Sequence, residues 1–372
     1  METWILDDLL ELTIQLQQIP APTFHEAERA QFLRERFIAD SLTSVEIDPT
    51  GNVFGCLKGR GDCRPLIISA HLDTVFPEDT DLTVHRMPGA IQGPGIGDNS
   101  LGVAGLLGLL WSLRSRPGID LLPGDLWLVA NTGEEGLGNL RGMRSLVERF
   151  GSDVLAYLVL EGMSFGQVFN RGLGVQRYCI QVETPGGHSW VDYGKPSAVH
   201  ELTALANRLV GLPLPKKPRT TLNIGVISGG TTINTIASKA YLELDLRSEN
   251  VDALADLTDK VQRQVQLVQR EKIHAECTLI GQRPAGKISS RHPLVLLAQR
   301  CLEAQGVPAP LNIGSTDANV PLSLGLPAVC VGLTRGSGAH TLQEHIQIAP
   351  LSQGLDQLVM LVRGAFRDLP KV

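Results

Sequence analysis

Short apolar runs punctuate the chain, and each gives way to glycine and polar residues. They are Leu66-Ile67-Ile68, Leu126-Trp127-Leu128-Val129-Ala130, Leu155-Ala156-Tyr157-Leu158-Val159-Leu160 and, much later, Pro327-Ala328-Val329-Cys330-Val331. Runs of this length with no polar alternation read as parallel strands buried on both faces. Helical patterning fills the intervals. A helix is expected from about Leu6, and a second is opened by a capping box running from Thr23 to Glu26. The uncharged stretch 101–113 is too short to span a bilayer and reads as a core helix that Ser100 can cap. Strand and helix in alternation predict an α/β fold, an open and mostly parallel sheet flanked by helices.

From about Gly172 the rhythm changes to strand, helix, two strands, helix, strand, over 175–182, 197–209, 221–227, 239–246, 251–268 and 274–279. That order predicts a small α+β sandwich inserted into the first fold. Helix and strand alternation resumes after Pro284, so the expected division is a catalytic metal-binding domain of residues 1–172 and 283–372 around an inserted domain of residues 173–282. Gln282-Arg283-Pro284-Ala285-Gly286 is the expected hinge.

Composition narrows the class. The chain has 372 residues, 43% hydrophobic and 19% charged, which is ordinary for a globular protein of two domains. A net charge of -6 with no long basic run argues against a nucleic-acid partner, and Lys216-Lys217-Pro218-Arg219 reads as a solvated loop. The start Met1-Glu2-Thr3-Trp4 lacks a basic segment and acids follow it, so neither a secretory signal nor a membrane partner is expected, and the cytoplasm is the default. Six cysteines without a Cys-x-x-Cys pair fit free thiols in a reducing compartment.

Candidate chemistry sits where the strands end. His71 closes the first run, and Asp73, two residues on, faces the same side, where its carboxylate is expected to accept the other ring N–H and fix the tautomer. Taken alone, a His-x-Asp is more often a hydrogen-bonded histidine in a βα loop. Asp98 follows Gly93-Pro94-Gly95-Ile96-Gly97, a loop whose spacing fits no dinucleotide fingerprint and which no Gly-Lys-Ser/Thr completes. Glu134 and Glu135 end the strand at 126–131 in a glycine-flanked turn, where one acid can bind a metal while its neighbour takes a proton. They read equally as solvated acids at a helix start. Glu161 ends the next strand, and Gly336-Ser337-Gly338-Ala339 leads to His340, preferred over His345, which lacks that lead-in. Open α/β sheets bind ligands outside the carboxyl ends of their strands, so all five ligand candidates are expected to gather at one rim. Two imidazoles and three carboxylates suit a pair of zinc ions, with cobalt or manganese also compatible.

In order along nearly the whole chain stand His71-Leu72-Asp73-Thr74-Val75, Gly97-Asp98-Asn99, Gly133-Glu134-Glu135-Gly136, Glu161-Gly162, Pro185-Gly186-Gly187-His188-Ser189, Asp245-Leu246-Arg247 and Gly338-Ala339-His340. This series resembles the co-catalytic di-zinc exopeptidases and deacylases, which include peptidase T, glutamate carboxypeptidase, aminoacylase and succinyl-diaminopimelate desuccinylase. The resemblance implies that His71, Asp98 and Glu161 hold one zinc and that Asp98, Glu135 and His340 hold the other, with Glu134 as general base. It implies that His188 reaches the active site from a partner subunit and donates to the oxyanion, and hence a homodimer paired through the inserted domains. Glu rather than Asp at 161 leans, within the family, towards carboxypeptidases and deacylases. The chain departs from the commoner pattern at Ile236-Ala237, where many members carry Ile-Pro, which bears on the loop holding Asn234.

Arg247, ending a strand, can clamp a substrate carboxylate through its planar fork, and Asn234 can assist. The leading expectation is an amide hydrolase acting on a small peptide or N-acyl amino acid. Its rivals are a non-catalytic, metal-stabilised peptide-binding protein and a dimeric scaffold. Glu134 argues against the first rival, because a pure binder has no need of a base beside the metal.

Overall fold

The apolar run ending at His71 forms strand Leu66–His71, buried along its whole length, in a computed structural model that describes residues 2–116 and 122–369. It lies between Leu126–Asn131 and Ala156–Leu160 and runs parallel to both, and Ala328–Val331 continues the parallel set beyond Ala156–Leu160. Shared direction puts the carboxyl ends of all four strands on one edge. The sheet is mixed at its flanks. Thr43–Ile47 and Val53–Leu57 add antiparallel on one side, while Val168–Gly172 meets Ala328–Val331 antiparallel on the other and pairs in parallel with Leu311–Gly314.

Helix Leu101–Arg114 packs on this sheet and on helices Thr3–Gln17 and Leu351–Asp368. Every residue from Leu101 to Leu113 is buried, so the expected core helix is borne out. Each of its leucines removed from water contributes about 1.5–3 kcal/mol. Thr3–Gln17 answers with Ile5, Leu9, Leu12 and Leu16 on one face.

Two local expectations give way to tertiary demands. The second helix begins at Ala27, and the Thr23 hydroxyl, expected to cap it, instead donates to Asp73 Oδ2 at 2.9 Å. Glu26 does reach back, accepting from Phe24 N at 3.1 Å, but the same Oε1 also takes Gly133 N at 3.1 Å. Ser100 makes no cap either. The chain enters the helix through the turn Ile96–Ser100, Ser100 N donates to Gly95 O, and the Ser100 hydroxyl is buried with no hydrogen-bond partner among the described residues.

A small antiparallel sheet escaped sequence patterning because its strands are two or three residues long. Its order is Gly336–Ser337, His345–Gln347, Ala90–Gln92, His85–Met87. The pairing of His345 with Gln92 brings the end of the His340 loop beside the start of the Asp98 loop.

The chain divides into two compact units, Met1–Gly172 with Lys287–Val372, and Leu173–Gly286. The second holds an antiparallel sheet in the order Thr220–Gly229, Lys239–Ser248, Gly174–Glu183, His274–Arg283. Strand Lys239–Ser248 alternates strictly, sending Ala240, Leu242, Leu244 and Leu246 inward. They join Leu202 and Leu205 of helix Ala198–Val210 and Leu257 and Val261 of helix Val251–Gln266 in one core, the α+β sandwich expected.

Candidate metal centre

The rim of the parallel strands gathers the five ligand candidates. His71 Nε2 lies 3.1 Å from Asp98 Oδ1 and 3.8 Å from Glu161 Oε2. His340 Nε2 lies 3.2 Å from Asp98 Oδ2 and 3.1 Å from Glu135 Oε1. Asp98 thus turns one oxygen to each imidazole. In each of the groups His71/Asp98/Glu161 and Asp98/Glu135/His340, the donor atoms lie within 4.8 Å of one another. A third group meeting the same limit, His71/Glu134/Glu135, shows that Glu134 is also within reach of the centre.

These loops are tied to one another by side chains that are not themselves ligand candidates. Asp73 accepts from Glu134 N through Oδ1 at 3.0 Å and from Glu135 N through Oδ2 at 2.8 Å. Its expected bond to the imidazole is made differently, because His71 Nδ1 meets the Asp73 backbone carbonyl at 3.0 Å and the nearest carboxylate oxygen at 3.5 Å. The carbonyl fixes the tautomer, which frees the carboxylate to hold the Glu134-Glu135 turn. Asn99 clasps the end of the Glu161 strand, donating to Leu160 O at 2.8 Å and accepting from Gly162 N at 2.9 Å. Glu344 accepts from Gly97 N at 2.7 Å and Asp98 N at 2.8 Å.

Behind this layer, the fully buried Arg29 donates through Nη1 to Leu72 O at 2.7 Å, between His71 and Asp73. Glu26 holds Gly133 N while pairing with Arg141 at 2.9 Å, and Gly133 takes a φ of +68° that suits glycine at that turn.

The electrostatics match a site built for cations. Burial alone would push His71 down, but the neighbouring carboxylates of Asp73, Asp98 and Glu161 outweigh it and hold the imidazole well above its usual range. Hydrogen bonds to Asp98 and Glu135 carry His340 up to about 10. Burial would raise Asp98, yet its bonds to His340 and His71 hold it well below the usual carboxylate range. Burial pushes Glu161 upward, with Asp98 and Glu135 adding to it. Asp317, bonded to Asn131 Nδ2 at 2.6 Å, is pushed up to about 7 by burial. The carboxylates that retain protons on two histidines would stabilise divalent charge at the same points, and the mixed nitrogen and oxygen donors fit zinc, cobalt or manganese.

Residues 67–364 match the peptidase family M20/M25/M40. The chain belongs to that family. The resemblance read from its motifs is thereby confirmed, and the chain is a hydrolase. Similar folds include a tripeptidase from Staphylococcus aureus, 22% identical with a TM-score of 0.80 over 98% of this chain and 99% of that one. Another is a dinuclear metal-binding peptidase of the M20 family from Bacillus subtilis, 17% identical with a TM-score of 0.70 over 100% of both chains. A Mycobacterium tuberculosis protein assigned as a succinyl-diaminopimelate desuccinylase is 24% identical over 96% of this chain and 98% of its own.

The remaining candidates lie in the second unit. His188 Nδ1 accepts from Trp190 N at 3.2 Å and Val191 N at 3.3 Å, and His188 N donates to Asp192 Oδ2 at 2.8 Å. Asn234 shares its edge, since His188 pairs with Thr235 and Ser189 N donates to Asn234 O. Arg247 directs Nε to Asp245 Oδ1 at 2.7 Å and Nη2 to Asp245 Oδ2 at 3.3 Å. Among the described residues His345 joins no ligand group, and it bonds Gln343 O at 3.3 Å.

Asn99 and Glu344 escaped sequence reading. The available signals were adjacency, Asn99 next to Asp98 and Glu344 four residues after His340.

Proposed function

We propose that this M20/M25/M40 family member is a two-metal amide hydrolase acting on a small peptide or N-acyl amino acid, with zinc as the metal. The observation that carries the reading is the divided carboxylate of Asp98, one oxygen toward His71 and the other toward His340. His71, Asp98 and Glu161 would hold one ion, and Asp98, Glu135 and His340 the other. Bound there, a pair of divalent cations supplies Lewis acidity to the scissile carbonyl and makes water a stronger acid at neutral pH.

The chain's own residues do the rest. Glu134, buried beside the ligands and with its backbone fixed by Asp73, takes the proton of the attacking water and returns it to the leaving amine nitrogen. His188 accepts two backbone N–H groups on Nδ1, so its ring proton belongs on Nε2, the tautomer that donates to an oxyanion. In this reading His188 acts from a partner subunit in a homodimer joined through the inserted units. Arg247 and Asn234 engage the substrate's free carboxylate, and Asp245 already orients the guanidinium for that task. Six free cysteines accord with a reducing compartment, the cytoplasm.

The test is a hydrolysis screen of free dipeptides, tripeptides and N-acylated amino acids with zinc, cobalt and manganese. Hydrolysis should vanish on chelation with the fold intact, and return with metal. Hydrolysis that persists after complete removal of metal would overturn the reading.

A further inference from the structure

Glu344 is fully buried, and among the described residues its carboxylate meets only backbone amides. Oε1 accepts from Gly97 N and Asp98 N at 2.7 and 2.8 Å, and Oε2 accepts from Gly95 N at 3.3 Å. Its own carbonyl takes Gly93 N at 2.9 Å, continuing the ladder in which His345 faces Gln92. Every amide from Gly93 to Asp98 that these bonds capture belongs to the turn carrying the bridging aspartate. That turn contains Gly93, Gly95 and Gly97, so it has few side chains with which to anchor itself. Glu344 also stands four residues beyond His340. One buried carboxylate therefore fastens the loop of Asp98 to the loop of the histidine that faces it.

We propose that Glu344 is a positioning residue for the metal bridge. By holding the Gly95–Asp98 amides against the His340 loop it sets where the two oxygens of Asp98 point, and so it couples both cation positions. This rests on the two-metal reading given above. Removal of Glu344 leaves amides without acceptors and lets the glycine turn shift, and a ligand shared by two cations transmits that shift to both. His340 touches one position only, so its loss should weaken one.

The experiment is a zinc titration of the full chain against a competing chelator, with zinc per chain measured by elemental analysis and folding of the metal-free protein followed by circular dichroism. Glu344→Ala should weaken zinc binding roughly 10- to 100-fold at both positions, the range found when groups supporting metal ligands are removed. His340→Ala should weaken one position. Glu344→Gln keeps an acceptor for Gly97 N and Asp98 N but turns an N–H toward Gly95 N, so it should fall between wild type and Glu344→Ala. A folded Glu344→Ala protein that melts earlier yet binds both zinc ions with wild-type affinity would reduce Glu344 to a structural tie and overturn the proposal. If Glu344→Ala does not fold, wild-type affinity in Glu344→Gln overturns it equally. A wild-type chain that binds no zinc refutes the two-metal reading instead.

Discussion

Asp73 Oδ2 accepts the backbone N–H of Glu135 at 2.8 Å, so an acid two residues beyond His71 fixes a ligand candidate on the neighbouring strand end. Its other oxygen holds Glu134 N at 3.0 Å. An amide side chain cannot serve both, because its NH2 group would face one of these donors. Asp73→Asn should therefore lower turnover roughly 10- to 100-fold and weaken metal binding together. Steady-state kinetics on the best substrate, paired with metal content, checks this, and unchanged values for both would show that the turn holds itself.

Glu134 separates from the ligand candidates by what its loss leaves behind. Glu134→Gln conserves volume and removes the basic oxygen, so turnover should fall by roughly 10²-fold or more while both metals stay bound. Elemental analysis of the purified variant decides the role. Loss of one metal would make Glu134 a ligand, as its distance from His71 and Glu135 permits.

Which parts of this site were legible in advance follows from chain geometry. His71, Asp98, Glu135, Glu161 and His340 could be read because each closes or follows an apolar run, or sits in a glycine frame, and parallel strands carry their ends to one edge. The residues that aim them could not, because Asn99, Glu344 and Arg29 act on backbone groups of distant segments. Glu344 reaches Asp98 across 246 positions through a sheet of two- and three-residue strands too short to leave a period. Thr23 and Ser100 failed as caps for a related reason. Capping is a local preference of about 1 kcal/mol, and Asp73 offers Thr23 a charged acceptor in its place.

If His188 serves the partner's site, two inactive variants should complement one another. Glu134→Gln and His188→Ala, each lowered by about 10²-fold or more, are mixed under conditions that exchange subunits. Random pairing places one intact site in half of the dimers, so activity should recover to about a quarter of wild type. Recovery absent despite demonstrated subunit exchange would place His188 in its own chain's site.

His340 gives the metal-free protein a pH dependence of definite sign. Hydrogen bonds to Asp98 and Glu135 raise it from 6.5 to about 10 in the folded chain. A folded-state value above the unfolded one stabilises fully below about pH 6.5, and that contribution is lost as pH rises through about 10. In the two-metal reading proposed above, metal binding at His340 displaces the same proton, so zinc affinity should rise over the window in which metal-free stability falls. Unfolding midpoints and chelator competition between pH 7 and 10 test both, and a metal-free midpoint that climbs over this range would contradict the assignment.

Gly102 offers a test of the Asn99 clasp. A Cβ at this helical position would lie 2.0 Å from Asn99 Oδ1. Asn99 is fully buried and cannot swing aside without releasing Leu160 O and Gly162 N, the groups flanking Glu161. Gly102→Ala should thus cost about 1–3 kcal/mol, the range for overpacking a filled core. Asn99→Ala should itself be destabilising, since it removes the side-chain partner of two buried backbone groups. The double variant separates the causes. With the carboxamide gone the clash is gone, and alanine in a helix is favoured over glycine by about 0.5–1 kcal/mol. Gly102→Ala should therefore turn from destabilising to neutral or stabilising in the Asn99→Ala background, a coupling that denaturant unfolding of the four proteins measures. Additive effects would mean that Gly102 is small for some neighbour other than Asn99.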